Sequence, residues 1–585
     1  MTAPTPVPTP VPTPTKTTTT TTGLTRRRFL GVSAGVGAAG AVGLALGQGS
    51  ARGDAIPISE QRVRAVVIGS GLGGAIAAYR LGNAGVRTVV LERGRRWPIT
   101  PAGDTFPPFL RPDRRSSYLT PSPVFPMQPP ALYRPYTGLF EKVVGDGMSV
   151  LCGAGVGGST LVYAGAWIRP DEAVFSRLLP SVDYAELERV HYPRAARMVG
   201  IAPIPDDVLA HPNYLGTRLY LDQARRAGLP AERVPNALDW DVVRAELAGH
   251  AVPSVTVGEY FSGVNSGARN SVDRNYLAAA ERGGSVTVAP LHRVTGIGVD
   301  RAGRYRVTAD RIDEDGTVLE RVTLVTDAVF CAAGSAGTSR LLVRARDTGT
   351  LPELNEHVGR HWGNNGDRIY LRGLVPEATG APQGGPISIA IRDQRDPADP
   401  VVVEFGPAPL PFEAHLMPVP GFGGCEPVGE FRYDPATGDA RLHWPRDGDA
   451  AAQRSVREVL LRLVRADGGV TGLGAGLGAG LASGLERVAD LPAPLSGLAR
   501  AATEAPAGLY DLGDTDPVTW HPLGGATLDT ACDNAGRVHG YRGLYVTDAA
   551  LIPGSTGACN PSWTIAALVE RCLDRILAED AGPVF

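Results

Sequence analysis

Arg64-Ala65-Val66-Val67-Ile68-Gly69-Ser70-Gly71-Leu72-Gly73-Gly74 is an apolar run that stops at a G-x-G-x-x-G turn. Small and apolar residues continue to about Ala84, and Thr88-Val89-Val90-Leu91-Glu92 follows as a second apolar run ending in an acid. The pattern predicts a strand, a helix from Gly74 to about Ala84 and a second strand. Gly69, Gly71 and Gly74 allow the tight turn and let backbone approach a pyrophosphate at the helix N-terminus, with Leu72 and Gly73 inside the same turn. Glu92 lies about 20 residues on, where an acid accepts ribose hydroxyls. A dinucleotide site follows; these residues leave nicotinamide and flavin dinucleotides both open.

Outward from this unit, the 585 residues suffice for more than one domain. A hydrophobic share of 43% with 20% charged residues describes an ordinary globular chain, and a net charge of -3 gives no reason to expect nucleic acid. Residues 1–22 are a Pro/Thr tract that cannot build a core. Arg26-Arg27-Arg28-Phe29-Leu30 then precedes a mildly apolar run to about Leu46, the pattern of a twin-arginine (Tat) export signal cut between Gly47 and Ala55. The same run read as a membrane anchor is weakly apolar and only about as long as the ~18-residue minimum. Export permits disulfides, yet Cys331 and Cys572 sit in apolar patterns and read as small buried hydrophobes, and the spacing of the six cysteines suggests no metal site.

From Trp97 to Pro135 the chain is Pro-rich and irregular, a long excursion over the surface. Gly153-Ala154-Gly155-Val156-Gly157-Gly158-Ser159-Thr160 is a second Gly-rich loop, either close to a planar ligand or simply a tight turn. Strands are expected at Val286–Val294, Tyr305–Val307 and Val325–Gly334, with a helix at Ser339–Arg346. From about Leu371 to Val464 alternating apolar residues predict an antiparallel sheet. Gly468–Leu485 repeats Leu every four residues in a Gly/Ala background; a flexible insertion is favoured over a loose helix or lid. The fold class expected is α/β: a Rossmann-type dinucleotide-binding domain plus a substrate domain on a largely antiparallel sheet.

At the C-terminal end, Leu544-Tyr545-Val546-Thr547-Asp548 is a strand entering a loop. Asn560-Pro561 reads as a helix start, Asn as cap and Pro in the first turn, and the cap is the better reading of Asn560 from the residues alone. His521 in Trp520-His521-Pro522-Leu523-Gly524-Gly525 is held by a Pro/Gly turn. Histidine is the usual proton acceptor near neutral pH, although a lone His is more often structural.

These motifs, in this order, resemble the glucose–methanol–choline (GMC) oxidoreductase family, and within it the bacterial sterol oxidases with non-covalent FAD. Leu341–Pro352 and Gly540–Asp548 carry the likeness further. The resemblance implies FAD, and a discontinuous FAD-binding domain of residues 61–100, 144–168, 268–360 and 534–585. Residues 101–143, 169–267 and 361–533 would form the substrate domain, with 1–55 as leader. It implies oxidation of a 3β-hydroxysteroid to the 3-ketosteroid, O2 becoming H2O2, then Δ5-to-Δ4 isomerisation. The alternatives are an oxidase or dehydrogenase for another bulky hydrophobic alcohol, and a lipid-binding flavoprotein without turnover. It further implies a secreted or envelope-associated monomer that touches a membrane surface transiently to extract sterol. His521 matches the family's active-site histidine and Asn560 its asparagine beside the flavin. Glu404, in Val403-Glu404-Phe405-Gly406-Pro407-Ala408-Pro409, matches the proton-moving glutamate; from the residues alone it reads as a strand-end surface acid. Gly158, Ser159, Val294, Asp548 and Ala549 match cofactor contacts. Tyr163-Ala164 stands where these oxidases have Asn-Gly, and Ser562 replaces a Phe.

Overall fold

The computed structural model describes residues 55–468, 495–514 and 516–585. The expected leader signal and residues 469–485 of the Leu/Gly segment lie outside them. Ile56–Phe585 pack as one unit.

The opening motif forms β1 (Ile58–Ile68), α1 (Leu72–Asn83) and β2 (Thr88–Leu91). β1 is central: Ala65–Ile68 pairs in parallel with Thr88–Leu91 on one side and Ala328–Cys331 on the other. Burial on both faces explains why this half of the strand reads as an unbroken apolar run rather than an alternation. The sheet continues through β3 (Val286–Ala289), β4 (His292–Val299), β5 (Tyr305–Ile312) and β6 (Val318–Cys331), in the order β3-β2-β1-β6-β5-β4. The helix that follows, α2 (Gly334–Asp347), starts five residues before the expected Ser339, directly at the Gly turn.

A second sheet is antiparallel throughout. It contains β7 (Asp367–Arg372), β8 (Ile389–Asp393), β9 (Val401–Glu404), β10 (Met417–Gly423) and β11 (Leu509–Asp511), ordered β11-β7-β10-β9-β8, with Ala231–Arg233 at the far edge. The expectation of alternating strands up to Val464 fails in two ways. β9 and β10 are buried at every position, and Ala450–Ala466 is a helix. One fact explains both: Val401, Val403, Met417 and Val419 pack on that helix through Val456, Val459, Leu460 and Leu463, while the opposite face is covered too. The Pro-rich excursion is also more than a surface path, because Phe106, Phe109 and Phe125 are buried in one cluster with Phe140 and Leu151.

The chain finally returns to the first sheet. β12 (Leu544–Val546) pairs in parallel with Val329–Cys331 along the upper half of β6, where the β5 pairing has ended. The C-terminal helix α3 (Ser562–Glu579) packs on α1, and Arg80 of α1 pairs with Glu570 and Asp574 of α3. First and last segments thus share one layer. All six cysteines are free.

Candidate active site

The glycines of the opening turn divide by what surrounds them. A Cβ on Gly73 would lie 1.8 Å from the Thr547 carbonyl oxygen, and one on Gly74 would lie 2.0 Å from that of Gly69. Packing alone demands those two. A Cβ on Gly71 would meet only Gly158 Cα, at 3.9 Å. The protein does not require glycine there, whereas a ligand pressed to the N-terminus of α1 does. Gly158, at positive φ, brings the second Gly-rich loop against the first, since its own Cβ would lie 2.6 Å from Gly71 Cα. This contact fits the tight-turn reading of the loop.

Glu92 is buried and closes the base of the turn. Its Oε2 accepts from Ser70 N–H (3.1 Å) and Ser70 Oγ–H (2.7 Å), and its Oε1 from Gly94 N–H (2.8 Å) and Gly155 N–H (3.4 Å). A carboxylate has about four acceptor positions. Of the four donors, Gly155 N–H is the most distant. His292 N–H donates to the Glu92 carbonyl at 2.8 Å, which sets Val294 two residues along the same strand, half-buried. Ser159 is exposed, its hydroxyl accepting from Gly153 N–H. Asp548 caps the turn after β12, accepting from Ala550 N–H (2.8 Å) and Thr338 Oγ–H (2.5 Å), and burial pushes its carboxyl up to about 6.

The next residue, Ala549, links the cofactor turn to the histidine. Its carbonyl accepts from Gly524 N–H, and Leu523 and Gly363 exchange both backbone bonds, so the His-Pro-Leu-Gly-Gly turn is clamped from two sides. His521 Nδ1 lies 3.1 Å from Asp367 Oδ2, the first residue of β7, but the ring is not aligned for a hydrogen bond, so the contact is electrostatic. Trp520 N–H donates to the same oxygen at 3.2 Å, and the ring of Phe422, cross-strand partner of Asp367, stands 5.3 Å from the imidazole. Asp367 escaped the sequence reading. A Gly-Asp pair before a strand carries no signal of an active site; only the β7–β10 register puts it beside the histidine.

Asn560 is not a helix cap. The helix starts at Ser562, Pro561 occupies the cap position, and no side chain caps it. Instead Asn560 Nδ2 donates to Glu404 Oε2 at 3.4 Å. Glu404 is no surface acid either. It ends β9 fully buried, on the parity of Val402 rather than of the helix-facing Val401 and Val403. Its Oε1 has no partner among the described residues, and neither has Asn560 Oδ1. Burial pushes the Glu404 carboxyl up to about 8, with the single Asn560 hydrogen bond opposing weakly. Beyond Glu404, Gly406, Ala408 and Leu410 line an apolar pocket with Phe109, Phe261, Ile369, Leu371, Pro418 and Pro420.

A dinucleotide-type turn, a clamped histidine and a buried amide–carboxyl pair are thus the chemical groups of this site. The comparisons name the family. GMC oxidoreductase models match residues 34–349 and 439–568, and its C-terminal model matches 365–472; the chain belongs to the GMC oxidoreductases. It is 26% identical over 575 residues to a cholesterol oxidase of Mycobacterium tuberculosis, covering 86% of this chain and 89% of that one. It is 28% identical over 556 residues to an uncharacterised GMC-type oxidoreductase of the same species, covering 90% and 77%. The solved pyridoxine 4-oxidase from Mesorbium loti shares the fold at a TM-score of 0.57 and 15% identity, covering 88% and 99%. GMC oxidoreductases are FAD enzymes, and the Gly71 opening, the paired Gly-rich loops and Glu92 fit that cofactor.

Proposed function

We propose that this enzyme oxidises the 3β-hydroxyl of a sterol or similarly bulky hydrophobic alcohol and then isomerises the product's double bond. The observation that carries this reading is Glu404, a fully buried carboxyl pushed up to about 8, two residues before Gly406 in the lining of an apolar pocket. The chemistry that FAD supplies when bound is hydride acceptance from the carbinol carbon and passage of the electrons to oxygen as peroxide.

His521 takes the hydroxyl proton through Nε2, because Nδ1 faces Asp367, whose charge opposes that developing on the ring. Asn560 orients the reacting end of the substrate with the amide oxygen that Glu404 leaves free. Glu404, ionised, removes a proton from C4 of the Δ5-3-ketone and returns it at C6. A desolvated carboxylate is a stronger base than a solvated one, which suits a weak carbon acid. Pro418, Pro420, Phe109 and Phe261 exclude water and offer only apolar surface to the rest of the substrate. FAD would lie along Gly69, Gly71, Leu72, Gly73, Gly74 and Glu92, with Gly158, Ser159, Tyr163, Ala164, Val294, Asp548, Ala549, Asn560 and Ser562 along the rest of its length. Export by the twin-arginine route, to the cell envelope or beyond it, belongs to the same reading, because Tat carries proteins already folded around their cofactor.

The test is the purified yellow protein given cholesterol under air. Peroxide release with appearance of the conjugated 4-en-3-one supports the reading. Peroxide from other hydrophobic alcohols but from no 3β-hydroxysterol replaces it with a general GMC alcohol oxidase.

A further inference from the structure

Arg269 is buried, 5% exposed, and no carboxylate among the described residues forms an ion pair with it. Its two terminal nitrogens donate to backbone carbonyls, one to Tyr163 and the other to Tyr260 at 2.6 Å. Its Nε is buried with no hydrogen-bond partner among the described residues, and the guanidinium lies over the Tyr163 ring, 5.4 Å from the centroid. A buried cation usually has an acid beside it, because desolvation is costly and carbonyl dipoles repay only part. Here burial pulls even the guanidinium down, to about 10.

Its position gives that charge a direction. Residues 269–273 are fastened to the second Gly-rich loop: Val272 N–H donates to Thr160 Oγ1 at 3.1 Å, and Arg269 holds the Tyr163 carbonyl just beyond. That loop touches Gly71 through Gly158. On the other side Arg269 holds Tyr260, whose hydroxyl donates to the Pro407 carbonyl at 2.8 Å, three residues after Glu404. Tyr260 feels the charges of both Arg269 and Glu404. The cation therefore stands between the cofactor loops and the acid pocket.

We propose that Arg269 supplies a fixed, unneutralised positive charge that stabilises negative charge arising on the reduced FAD ring. It does so without touching the alcohol, as a positioning residue of the electrostatic field rather than a proton carrier. In a dry site a preorganised charge acts at full strength and needs no reorganisation. The inference rests on FAD lying against the Gly-rich loops and is independent of which alcohol is oxidised.

The experiment uses the FAD-loaded enzyme and sulfite, whose sulfur bonds to oxidised flavin and leaves one negative charge on the ring. Arg269→Lys keeps the charge; Arg269→Gln removes it while keeping hydrogen-bonding capacity. The expected result is sulfite binding weakened on the order of tenfold in Arg269→Gln, with a lower flavin midpoint potential, and both largely restored in Arg269→Lys. Should Arg269→Gln lose flavin on purification, the Lys variant against wild type across salt and pH decides. A charge role leaves the sulfite affinity of Arg269→Lys near wild type, and a shape-only role weakens it on the order of tenfold. Unchanged sulfite affinity and potential in Arg269→Gln, with flavin bound, overturns the proposal. Both readouts stand if cholesterol proves not to be a substrate, so failure of the sterol reading looks different.

Discussion

Two buried glutamates mark two regions that use the same side chain oppositely. Glu92, under the dinucleotide turn, accepts from four protein donors; Glu404, buried at the end of β9, accepts from one amide at 3.4 Å. A carboxylate saturated with donors is a fixed anion that organises backbone. One starved of donors is a group whose proton can come and go near neutral pH. The dinucleotide turn is thus fixed by hydrogen bonding, and the proposed role of Glu404 depends on the lack of it.

The sharpest way to break this division is His521→Ala, which removes the proton acceptor and should leave the cofactor region intact. Turnover of the best alcohol should fall about 100- to 10,000-fold, with flavin absorbance retained. A kcat within a few-fold of wild type would make His521 a turn residue. Within the cofactor region, Gly73→Ala and Gly71→Ala should part company. The former forces a Cβ into the Thr547 carbonyl and should cost more than about 4 kcal/mol or prevent folding. The latter meets nothing closer than 3.9 Å in the protein, so thermal stability of the flavin-free form should hold while FAD affinity drops. Equal behaviour of the two would mean that Gly71 has no ligand above it.

Glu404→Gln tests the starved carboxyl through pH. The folded-state value is about 8, and an unfolded carboxyl titrates near ~4.3. Between those limits the folded state binds more protons than the unfolded one. The stability due to the neutral side chain is therefore full below about pH 4 and is lost as pH rises through about 8. The Gln variant cannot ionise, so melts from acid to alkaline pH should open a gap in its favour, reaching the order of a few kcal/mol. The same variant, given cholesterol, should still release peroxide yet accumulate the unconjugated 5-en-3-one. The last and smallest effect belongs to Asn560→Leu. Asn560 is not a cap, but it is the one donor to the buried Glu404 carboxyl, so stability should fall by roughly 1–3 kcal/mol. Anaerobic flavin reduction by substrate should also slow, and a variant with normal reduction would leave Asn560 without a role in the chemistry.

Much of this molecule was legible in the chain because its signals are local. The β1-turn-α1 unit, its glycines and Glu92 span 35 residues from Ile58 to Glu92, and steric rules at neighbouring positions give them away. The small buried cysteines and the antiparallel second sheet also followed from pattern. The helix at Ala450–Ala466 was legible but missed: Val456, Val459, Leu460 and Leu463 recur at helical spacing, and the strand pattern before them was carried too far along the chain.

The sequence by itself determined the dinucleotide turn, the fold class and, through resemblance, which residues to watch. Only the tertiary structure decided what surrounds them. Asp367 meets His521 through the β7–β10 pairing, Asn560 turns away from its own helix to Glu404, and Arg269 lies buried between Tyr163 and Tyr260. The physical reason is that burial and pairing are properties of long-range contacts. A carboxyl becomes a base, and a cation goes unneutralised, according to which distant segments close around it, and those distances are not written in neighbouring residues.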